Sequence, residues 1–447
     1  MSGGQKVANK RRGGEAGKLQ AIRLCVTDSS SFEAPSEEAE KWLRRLARSI
    51  RAGELVVGLS DGSRSDDEEI VYCERDGTWR AGRYIGTIVF EGRTLVIEPR
   101  FGRMRILEWL SEIQSVLVSE TPGALERHEN FVAALLGVIW GRAFAEAARH
   151  GLPALRREVK TTGVVLRGAL SIRDSVRLRA TGSPQLVSVR RERTLDHAVS
   201  DVIVAAYSVL RRALRDQTLQ WLPGRAAELL PHLIAVAGAH PAVPTMAELS
   251  RIRYTPITAG FARFAELSRQ IATHQGLGAS VAQDGATHGV LLDMAELWEL
   301  HVLHVLRSAC KPLIVRHGTH DSSANAKLLR SEVDGKELGT LMPDALLCDG
   351  ERVRAILDAK YKQIHGRPQR EDLYQLAAYL GRFAAPDGKA AGALVYPQDP
   401  HRPEVAKIEA ASPWRLDVGK RFWFVALPLD TGAARARSAE LVAEMGL

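Results

Sequence analysis

Residues 342–362 have the sequence MPDALLCDGERVRAILDAKYK, which predicts two apolar strands joined by a polar turn around Gly350. Asp344 stands at the start of the first strand, and Asp358 and Lys360 stand near the end of the second. Charges next to buried apolar residues are costly unless they are paired or bound to metal. We therefore expect the chemistry of the chain at this hairpin.

The register of the hairpin determines which of its charged side chains meet. With a turn over residues 349–352, Asp344 falls opposite Leu357 and next to Asp358. Asp358 and Lys360 share one face because side chains alternate along a strand. Two carboxylates and one amine then gather at a single point. This is a divalent-metal site with a cation beside it, which suits hydrolysis of a phosphodiester.

Two predicted helices bring further polar side chains towards the hairpin. The helix over 294–310 carries Glu299 between apolar residues. Gln375 and Tyr379 are spaced i and i+4 in the helix over 369–383, so both project from one helix face. The alternative is an edge hairpin with a solvated salt bridge. It is disfavoured because a carboxylate beside an apolar pair is expensive unless it is paired or metal-bound.

The composition is that of an ordinary globular protein, with 447 residues, 45% hydrophobic and 26% charged, and it allows roughly two to four domains. The net charge of +8 favours a polyanionic partner, although solvated Arg-rich helices explain it as well.

Four cysteines without a CxxC pair indicate neither a disulfide framework nor a zinc site. No apolar run approaches the ~20 residues of a membrane span, so we expect a cytoplasmic protein.

The amino-terminal part of the chain divides at residue 35. Residues 1–35 are rich in Gly, Ser, Lys and Arg and predict a flexible basic tail with at most one short strand. Residues 36–103 predict a small β-rich module, with one amphipathic helix followed by short β-branched runs and Gly-containing turns. Nothing in this module has the residues for chemistry, so we expect it to bind a partner or DNA.

Residues 104–284 predict a mainly helical region, which includes one helix over 246–273. A basic segment over 155–193 interrupts the helices and predicts a β-hairpin. Its candidate contact residues for DNA or a partner are Arg156, Arg157, Lys160, Arg167, Arg190 and Arg191. A solvated hairpin is the simplest interpretation. We favour a surface that follows a phosphate backbone, because positive charge is concentrated there.

Residues 285–447 alternate helices and strands and predict an α/β domain. A Gly-rich stretch over 276–288 predicts the loop that connects it to the helical region. The chain contains no GxxxxGK[ST] motif, so we expect no nucleotide site in it. Any nucleotide hydrolysis must then come from another protein.

Three of these motifs together resemble a known superfamily. Pro343-Asp344, Asp358-Ala-Lys360 and Gln375-x-x-x-Tyr379 are similar to the PD-(D/E)xK nucleases, in the branch with a QxxxY helix. Over residues 50–430 the layout resembles the McrC family, the nuclease subunits of McrBC modification-dependent restriction systems. Stretches that carry this likeness are GTIVFEGRTLVIEPR at 86–100, LRGALSI at 166–172, ERTLDH at 192–197, LWELHV at 297–302 and LVYP at 394–397.

The resemblance implies both a fold class and residue roles. The implied protein is multidomain, α+β and α/β, with a small amino-terminal β module, a mainly helical partner-docking middle region and a carboxyl-terminal PD-(D/E)xK restriction-endonuclease-like α/β domain. The implied roles are Mg²⁺ ligation by Asp344, Asp358 and Glu299, catalysis by Lys360, and support of the site or DNA contact by Gln375 and Tyr379.

The resemblance also implies a partner. McrC-like proteins work with McrB, an AAA+ GTPase ring that binds the GTP, and their amino-terminal part docks to the ring and stimulates hydrolysis. The implied function is an Mg²⁺-dependent endonuclease on double-stranded, methylated DNA, and the basic segment then faces either the DNA or the ring. Two features depart from the family: His301 stands where an aromatic residue is common, and residues 1–35 have no counterpart.

Two other functions stay open. One is a non-cleaving subunit that binds and activates an NTPase ring, and the intact Asp344, Asp358 and Lys360 argue against it. The other is a stand-alone nuclease resembling the RecB branch, which acts on DNA ends. The long amino-terminal portion without helicase motifs argues against that second alternative.

Overall fold

The computed structural model describes residues 23–50, 55–57, 59, 68–114, 128–214, 222–273, 288–318, 321–362, 364, 367–384, 390–400, 403–416 and 420–447. Its helices and sheets form a mixed α/β multidomain protein. Within these residues, no helix combines the length and the apolar character that crossing a membrane requires.

A five-stranded sheet organises the amino-terminal part. Its strands, in spatial order, are β1 (Arg23–Thr27), β7 (Arg93–Glu98), β6 (Tyr84–Phe90), β11 (His288–Asp293) and β3 (Val56–Val57). β1 runs parallel to β7, and β11 runs antiparallel to β6. Gly86 has φ +136°, and a Cβ there would stand 2.1 Å from the carbonyl oxygen of Val290. The close pairing of β6 with β11 therefore requires glycine.

Two strands of this sheet fall outside residues 36–103, the predicted β-rich module. β1 falls in residues 1–35, a predicted flexible tail that allowed one short strand, and it pairs with β7; residues 1–22 lie outside the described residues. β11 falls in the predicted domain 285–447, yet it belongs to the amino-terminal sheet. The predicted loop 276–288 lies outside the described residues except for its last position. Local periodicity does not show which distant strands will pair.

A smaller sheet and a helix complete the amino-terminal module. The sheet consists of β2 (Ser31–Phe32), β5 (Trp79–Ala81) and β4 (Val71–Cys73). α1 (Glu37–Ser49) begins after Ser36, whose hydroxyl accepts a hydrogen bond from the N–H of Ala39. Trp42 on its buried face packs in a core that both sheets share.

Helices make up most of the middle of the chain. They are α2 (Arg103–Gln114), α3 (His128–Ala147), α5 (Ala198–Leu214), α6 (Gly224–Ala237), α7 (Met246–Ser250) and α8 (Gly260–Thr273). The single helix predicted over 246–273 is two helices, because Pro256 disfavours a helical conformation at Thr255. The N–H of Thr255 donates to the hydroxyl of Thr258 instead.

The basic segment 155–193 differs from the simple hairpin that its sequence predicts. Its elements are β8 (Leu155–Gly163), β9 (Ala169–Leu170), α4 (Ile172–Ala180) and β10 (Leu186–Thr194). β10 pairs antiparallel with both β8 and β9. The hydroxyl of Ser175 ties α4 to the sheet by accepting a 2.8 Å hydrogen bond from the N–H of Val187. Residues 155–194 are called the basic unit below.

A six-stranded mixed sheet forms the centre of the carboxyl-terminal part. Its strands, in spatial order, are β12 (Ile314–Arg316), β15 (Ala345–Asp349), β16 (Arg352–Ala359), β17 (Ala391–Pro397), β19 (Arg421–Leu427) and β18 (Trp414–Arg415). β15 and β16 are antiparallel, whereas β16, β17 and β19 are parallel. The β15–β16 hairpin is therefore internal to the sheet, which excludes the edge hairpin considered as an alternative.

Helices cover both faces of this sheet. They are α9 (Met294–Ala309), α10 (Arg370–Phe383), α11 (Glu404–Glu409) and α12 (Thr431–Met445). Leu357 of β16 packs in the core that includes α9 and α12, and Ile356 packs in the core that includes α10. A two-stranded hairpin, β13 (Ala326–Arg330) and β14 (Glu337–Leu341), lies between β12 and β15 in the chain.

The pairing of β15 with β16 corrects the predicted register. Ala345, and not Asp344, lies opposite Leu357, because a bulge interrupts the ladder between Leu347 and Cys348. The extra residue on β16 shifts the partners by one position. Asp344 consequently lies one step beyond the ladder, beside Asp358.

Candidate active site

Asp358 and Lys360 lie side by side at the end of β16. Lys360 Nζ is 2.5 Å from Asp358 Oδ2, and the two side chains are 16% and 1% exposed. They point to the same side of the sheet because they are two positions apart on an extended chain. Desolvation of two ions offsets much of their attraction, so a pair as buried as this one contributes little net stability.

A chain of hydrogen bonds connects Lys360 to α10. Lys360 Nζ donates to Gln375 Oε1 at 2.9 Å, and Gln375 Nε2 donates to the hydroxyl of Tyr379 at 2.8 Å. The Tyr379 hydroxyl donates in turn to the carbonyl oxygen of Met342 at 3.1 Å. Burial raises the pKa of Tyr379, so it stays a neutral donor. One helix face thus holds both the lysine and the backbone that leads into Asp344.

Asp344 completes this group from the first strand of the hairpin. Its Oδ2 accepts a 2.7 Å hydrogen bond from the N–H of Ala359. Burial raises the pKa of Asp344 well above its ordinary value, and the negative charges of Glu299 and Asp358 raise it further, with Lys360 acting in the opposite direction. Three carboxylates are therefore close enough to repel one another, and a bound cation would relieve that repulsion.

Glu299 reaches the site from α9, where Leu297 and Trp298 beside it are buried in the core. Its Oε1 lies 2.6 Å from Nε2 of His317, a side chain that is only 2% exposed. His317 follows β12 and was not singled out from the sequence. No local pattern marks it, because its role depends on the packing of α9 against β12.

Asp372 is a second site residue that the sequence analysis missed. Its side chain is 5% exposed, and its Oδ1 accepts a 2.7 Å hydrogen bond from Lys362 and lies 3.9 Å from Lys360 Nζ. A signal for it exists, since Asp372 stands three residues before Gln375 and therefore on the same face of α10. The segment that follows β16 thus presents two lysines towards α10, and they share one buried carboxylate.

The electrostatics of the site suit a hard divalent cation. Burial raises the pKa of Asp358, and Lys360 opposes that shift. For Lys360, burial lowers the pKa, but Asp358 and Asp344 raise it more, so the ammonium form is favoured. Oδ1 of Asp358 is buried without a hydrogen-bond partner among the described residues. Carboxylate oxygens are the donors that Mg²⁺ prefers, so the residues fit this ion in chemistry.

These carboxylates lie farther apart than the ligands of a bound metal ion. In the described part of the chain, no three His, Cys, Asp or Glu side chains come together at distances that would hold a metal ion. Glu299 is engaged by His317, and Asp358 by Lys360. Ligation of Mg²⁺ by the predicted set would require these side chains to exchange partners.

Five of the six predicted contact residues of the basic unit lie on its surface, and much of their charge is already paired. Lys160 is 2.5 Å from Asp174, Arg190 is 2.9 Å from Glu192, and Arg191 is 3.3 Å from Glu158, all measured between charged atoms. Arg156 and Arg167 are exposed. The side chain of Arg157 lies outside the described residues.

These features define a mixed α/β multidomain protein with a buried carboxylate–lysine site in its carboxyl-terminal sheet. A family model described as McrBC 5-methylcytosine restriction system component matches residues 79–397. The chain belongs to this family.

Two solved structures align with this chain. A chain in the refined half-complex from a tetradecameric assembly of Thermococcus gammatolerans McrB AAA+ hexamers with bound McrC aligns with a TM-score of 0.52 at 18% identity, over 95% of this chain and 100% of that one. A chain in a Thermococcus gammatolerans McrBC complex aligns with a TM-score of 0.36 at 18% identity, over 65% and 88% of the two chains. No curated protein matches in sequence.

Proposed function

We propose that this chain is the nuclease subunit of a McrBC-type restriction system, an Mg²⁺-dependent endodeoxyribonuclease that cuts double-stranded DNA containing methylated cytosine. In this proposal the carboxyl-terminal sheet with its covering helices is a PD-(D/E)xK domain. The observation that carries the proposal is the buried Asp358–Lys360 pair, held by Gln375 beside Asp344. A buried charge cluster of this kind adds little stability, which leaves catalysis as the reason for it.

The residues of the site have distinct roles in this proposal. Asp344, Asp358 and Glu299 would hold the cation, which when bound polarises the phosphate and lowers the pKa of a coordinated water. Lys360, kept in its ammonium form by the carboxylates, places positive charge where the transferring phosphate becomes more negative. Gln375 and Tyr379 hold Lys360 in position by the hydrogen bonds described above.

A ring NTPase is the proposed partner. The family is one of restriction system components, and a chain similar to this one in fold comes from an assembly of McrB AAA+ hexamers with bound McrC. The sequence has no P-loop motif, so GTP would bind to the ring. Residues 50–280 would dock to it and stimulate hydrolysis, and the methylated base would be recognised by the ring.

One observation favours a second candidate, a non-cleaving subunit that only activates the ring. Glu299 is tied to His317, and the described carboxylates do not form a metal cage. A site that never exchanges these partners would bind no cation. Such a subunit would stimulate nucleotide hydrolysis and leave DNA intact.

The decisive experiment reconstitutes the full chain with a McrB-type AAA+ ring, GTP, Mg²⁺ and methylated double-stranded DNA. We expect Asp358→Ala and Lys360→Ala each to lower the cleavage rate by about 100-fold or more, because each removes charge stabilisation at the transferring phosphate. Stimulation of GTP hydrolysis should persist in both variants. Lys336→Ala is a matched control, since its side chain is 82% exposed on the β13–β14 hairpin.

Cleavage that survives in both variants would overturn the assignment of the site. A wild-type chain that stimulates GTP hydrolysis without cutting DNA would favour the second candidate. The full chain is needed, because β11 pairs with β6 and a fragment that begins at residue 285 would break the amino-terminal sheet.

A further inference from the structure

The end of β16 is held from both sides of the sheet. Lys360 and Lys362 point towards α10, where they donate to Gln375 and Asp372. Tyr361 lies between them and points to the opposite side, because side chains alternate along the extended chain. On that side it is 4% exposed and meets the amino-terminal module.

Three residues from separate parts of the chain converge at this contact. The Tyr361 hydroxyl donates to Asp28 Oδ2 at 2.9 Å, and the N–H of Arg100 donates to Asp28 Oδ1 at 2.6 Å. Asp28 directly follows β1, Arg100 follows β7, and Tyr361 follows β16. The Arg100 guanidinium carbon lies 4.2 Å from the ring centre of Tyr361 and 4.6 Å from that of Phe101.

The contact is an ionic one inside the protein. Asp28 is fully buried, the Arg100 side chain is 8% exposed, and their nearest charged atoms are 3.8 Å apart. Arg100 Nε and Nη2 have no hydrogen-bond partner among the described residues, and the guanidinium lies against the two aromatic rings and near the Asp28 charge. Burial raises the pKa of Asp28, and Arg100 opposes that shift. Apolar residues would join two domains at lower cost.

A small cleft lies beside this contact. Arg100 and Phe101 line it from the amino-terminal module, and Lys362 and Glu404 line it from the carboxyl-terminal part of the chain. Phe101 packs edge-on against Tyr361 in the same apolar cluster. Within that packing, the hydrogen bonds of Asp28 fix the distance between the module and the end of β16 at this point.

We propose that Asp28, Arg100 and Tyr361 are positioning residues that link the amino-terminal module to the catalytic strand, so that the position of the module sets the position of Lys360. The proposal rests on the proposed function, in which the module docks to the ring and Lys360 acts at the phosphate. Tyr361 is bonded directly to Lys360, so a movement of the module relative to the sheet must either break the Tyr361–Asp28 hydrogen bond or displace the backbone of Lys360.

A small displacement would be enough to control the reaction. The Lys360 N–H donates to the carbonyl oxygen of Val395 at 2.8 Å, and its side chain reaches Asp358 and Gln375. A misplacement of ~1 Å at a catalytic group costs about 100-fold in rate. The Tyr361–Asp28 hydrogen bond thus connects the docking module to Lys360 through one peptide unit.

The test compares Tyr361→Phe with Tyr396→Phe in the full chain. Tyr361→Phe keeps the ring over Arg100 and removes only the hydroxyl bonded to Asp28. Tyr396→Phe removes a hydroxyl from the neighbouring strand β17, where it is buried without a hydrogen-bond partner among the described residues. Hydrogen exchange of peptides covering 358–362 and 391–397 is measured by mass spectrometry, together with ring-stimulated DNA cleavage and GTP hydrolysis.

We expect exchange over 358–362 to be about tenfold faster in Tyr361→Phe, with 391–397 unchanged and Tyr396→Phe like the wild type. Cleavage under single-turnover conditions should fall about tenfold or more in Tyr361→Phe, with GTP hydrolysis changed by less than about twofold. Equal exchange in the two variants, or acceleration across all peptides, would overturn the link.

A second variant covers the case in which Tyr361→Phe does not fold. Asp28→Asn keeps an acceptor for the Arg100 N–H and removes the charge, and it should accelerate exchange over 358–362 as well; unchanged exchange would contradict the link. The exchange readout does not depend on DNA cleavage. A wild-type chain that cuts no DNA would therefore refute the proposed function, and the exchange data would still decide the link.

Discussion

The carboxyl-terminal site and the basic unit are both rich in charge, but their charges have different surroundings. Asp358 and Lys360 are 1% and 16% exposed, and their partners are further side chains on α10. Arg191 and its partner Glu158 are 72% and 59% exposed. The Asp358–Lys360 pair is shielded from solvent, whereas the Arg191–Glu158 pair is solvated.

This difference shows which charges carry information about function. A solvated ion pair costs little to form and contributes about 0–1 kcal/mol, so its presence needs no functional reason. A buried pair costs several kcal/mol per ion to desolvate, so it persists only where geometry and further hydrogen bonds hold it. The number of basic residues in the basic unit is therefore a weaker guide to function than one buried lysine, Lys360, just after β16.

Removal of one partner of the buried Asp358–Lys360 pair is expected to have the largest effect. Lys360→Met leaves Asp358 buried without its counter-ion, and we expect the free energy of unfolding to fall by about 3–5 kcal/mol at pH 7. Urea unfolding of the full chain measures this loss. Asp358→Asn combined with Lys360→Met should recover most of it, because no unpaired charge then remains.

The pH dependence of that variant gives a further check. Without Lys360, the pKa of Asp358 rises beyond the increase that burial already causes. A carboxyl with a raised pKa in the folded state destabilises the fold as pH rises through that pKa. The deficit of Lys360→Met should therefore shrink towards pH 4. A loss of unfolding free energy that is the same at pH 7 and at pH 4 would mean that the Asp358–Lys360 pair is solvated.

The sequence predicted the chemical core of the site because that core is local. The alternation of apolar and charged residues placed Asp358 and Lys360 on one strand face, and the i, i+4 spacing placed Gln375 and Tyr379 on one helix face. The register was wrong by one residue, since a bulge leaves no reliable signal in a sequence of alternating apolar residues.

The long-range contacts could not be predicted in this way. The parallel pairing of β1 with β7 and the contact of Tyr361 with Asp28 join residues far apart in the chain. Neither periodicity nor propensity carries information about such partners, which are selected by tertiary packing. His317 escaped notice for the same reason, because its contact with Glu299 depends on how α9 lies against β12.

A cation should change the stability of the site and leave the basic unit unaffected. The raised pKa of Asp344 means that the folded chain binds a proton more tightly than the unfolded chain, so this group's contribution to stability is lost as pH rises above the unfolded pKa of about 3.9. Without Mg²⁺ at pH 7, Asp344→Asn should therefore melt at a higher temperature than the wild type, and the difference should vanish towards pH 4.

Addition of Mg²⁺ should then reverse this order. At ten times its dissociation constant, Mg²⁺ stabilises the wild type by about 1.4 kcal/mol, since it binds only the folded chain. Asp344→Asn should gain much less, because one ligand has lost its charge. Equal stabilisation of the two proteins by Mg²⁺ in thermal denaturation would place the ion elsewhere.

The smallest effect is expected in the basic unit. Arg191→Ala removes a solvated pair with Glu158, so the melting temperature should change by less than about 1 °C.

Because the charge of Arg191 is already partly neutralised, and because Val164 and Ile172 in the same unit are 72% and 71% exposed, we expect this surface to meet protein and not DNA. DNA affinity and its salt dependence should then match the wild type. A slope of log affinity against log salt that falls by about one would instead place a phosphate on Arg191, and the basic unit would then be a surface that binds nucleic acid.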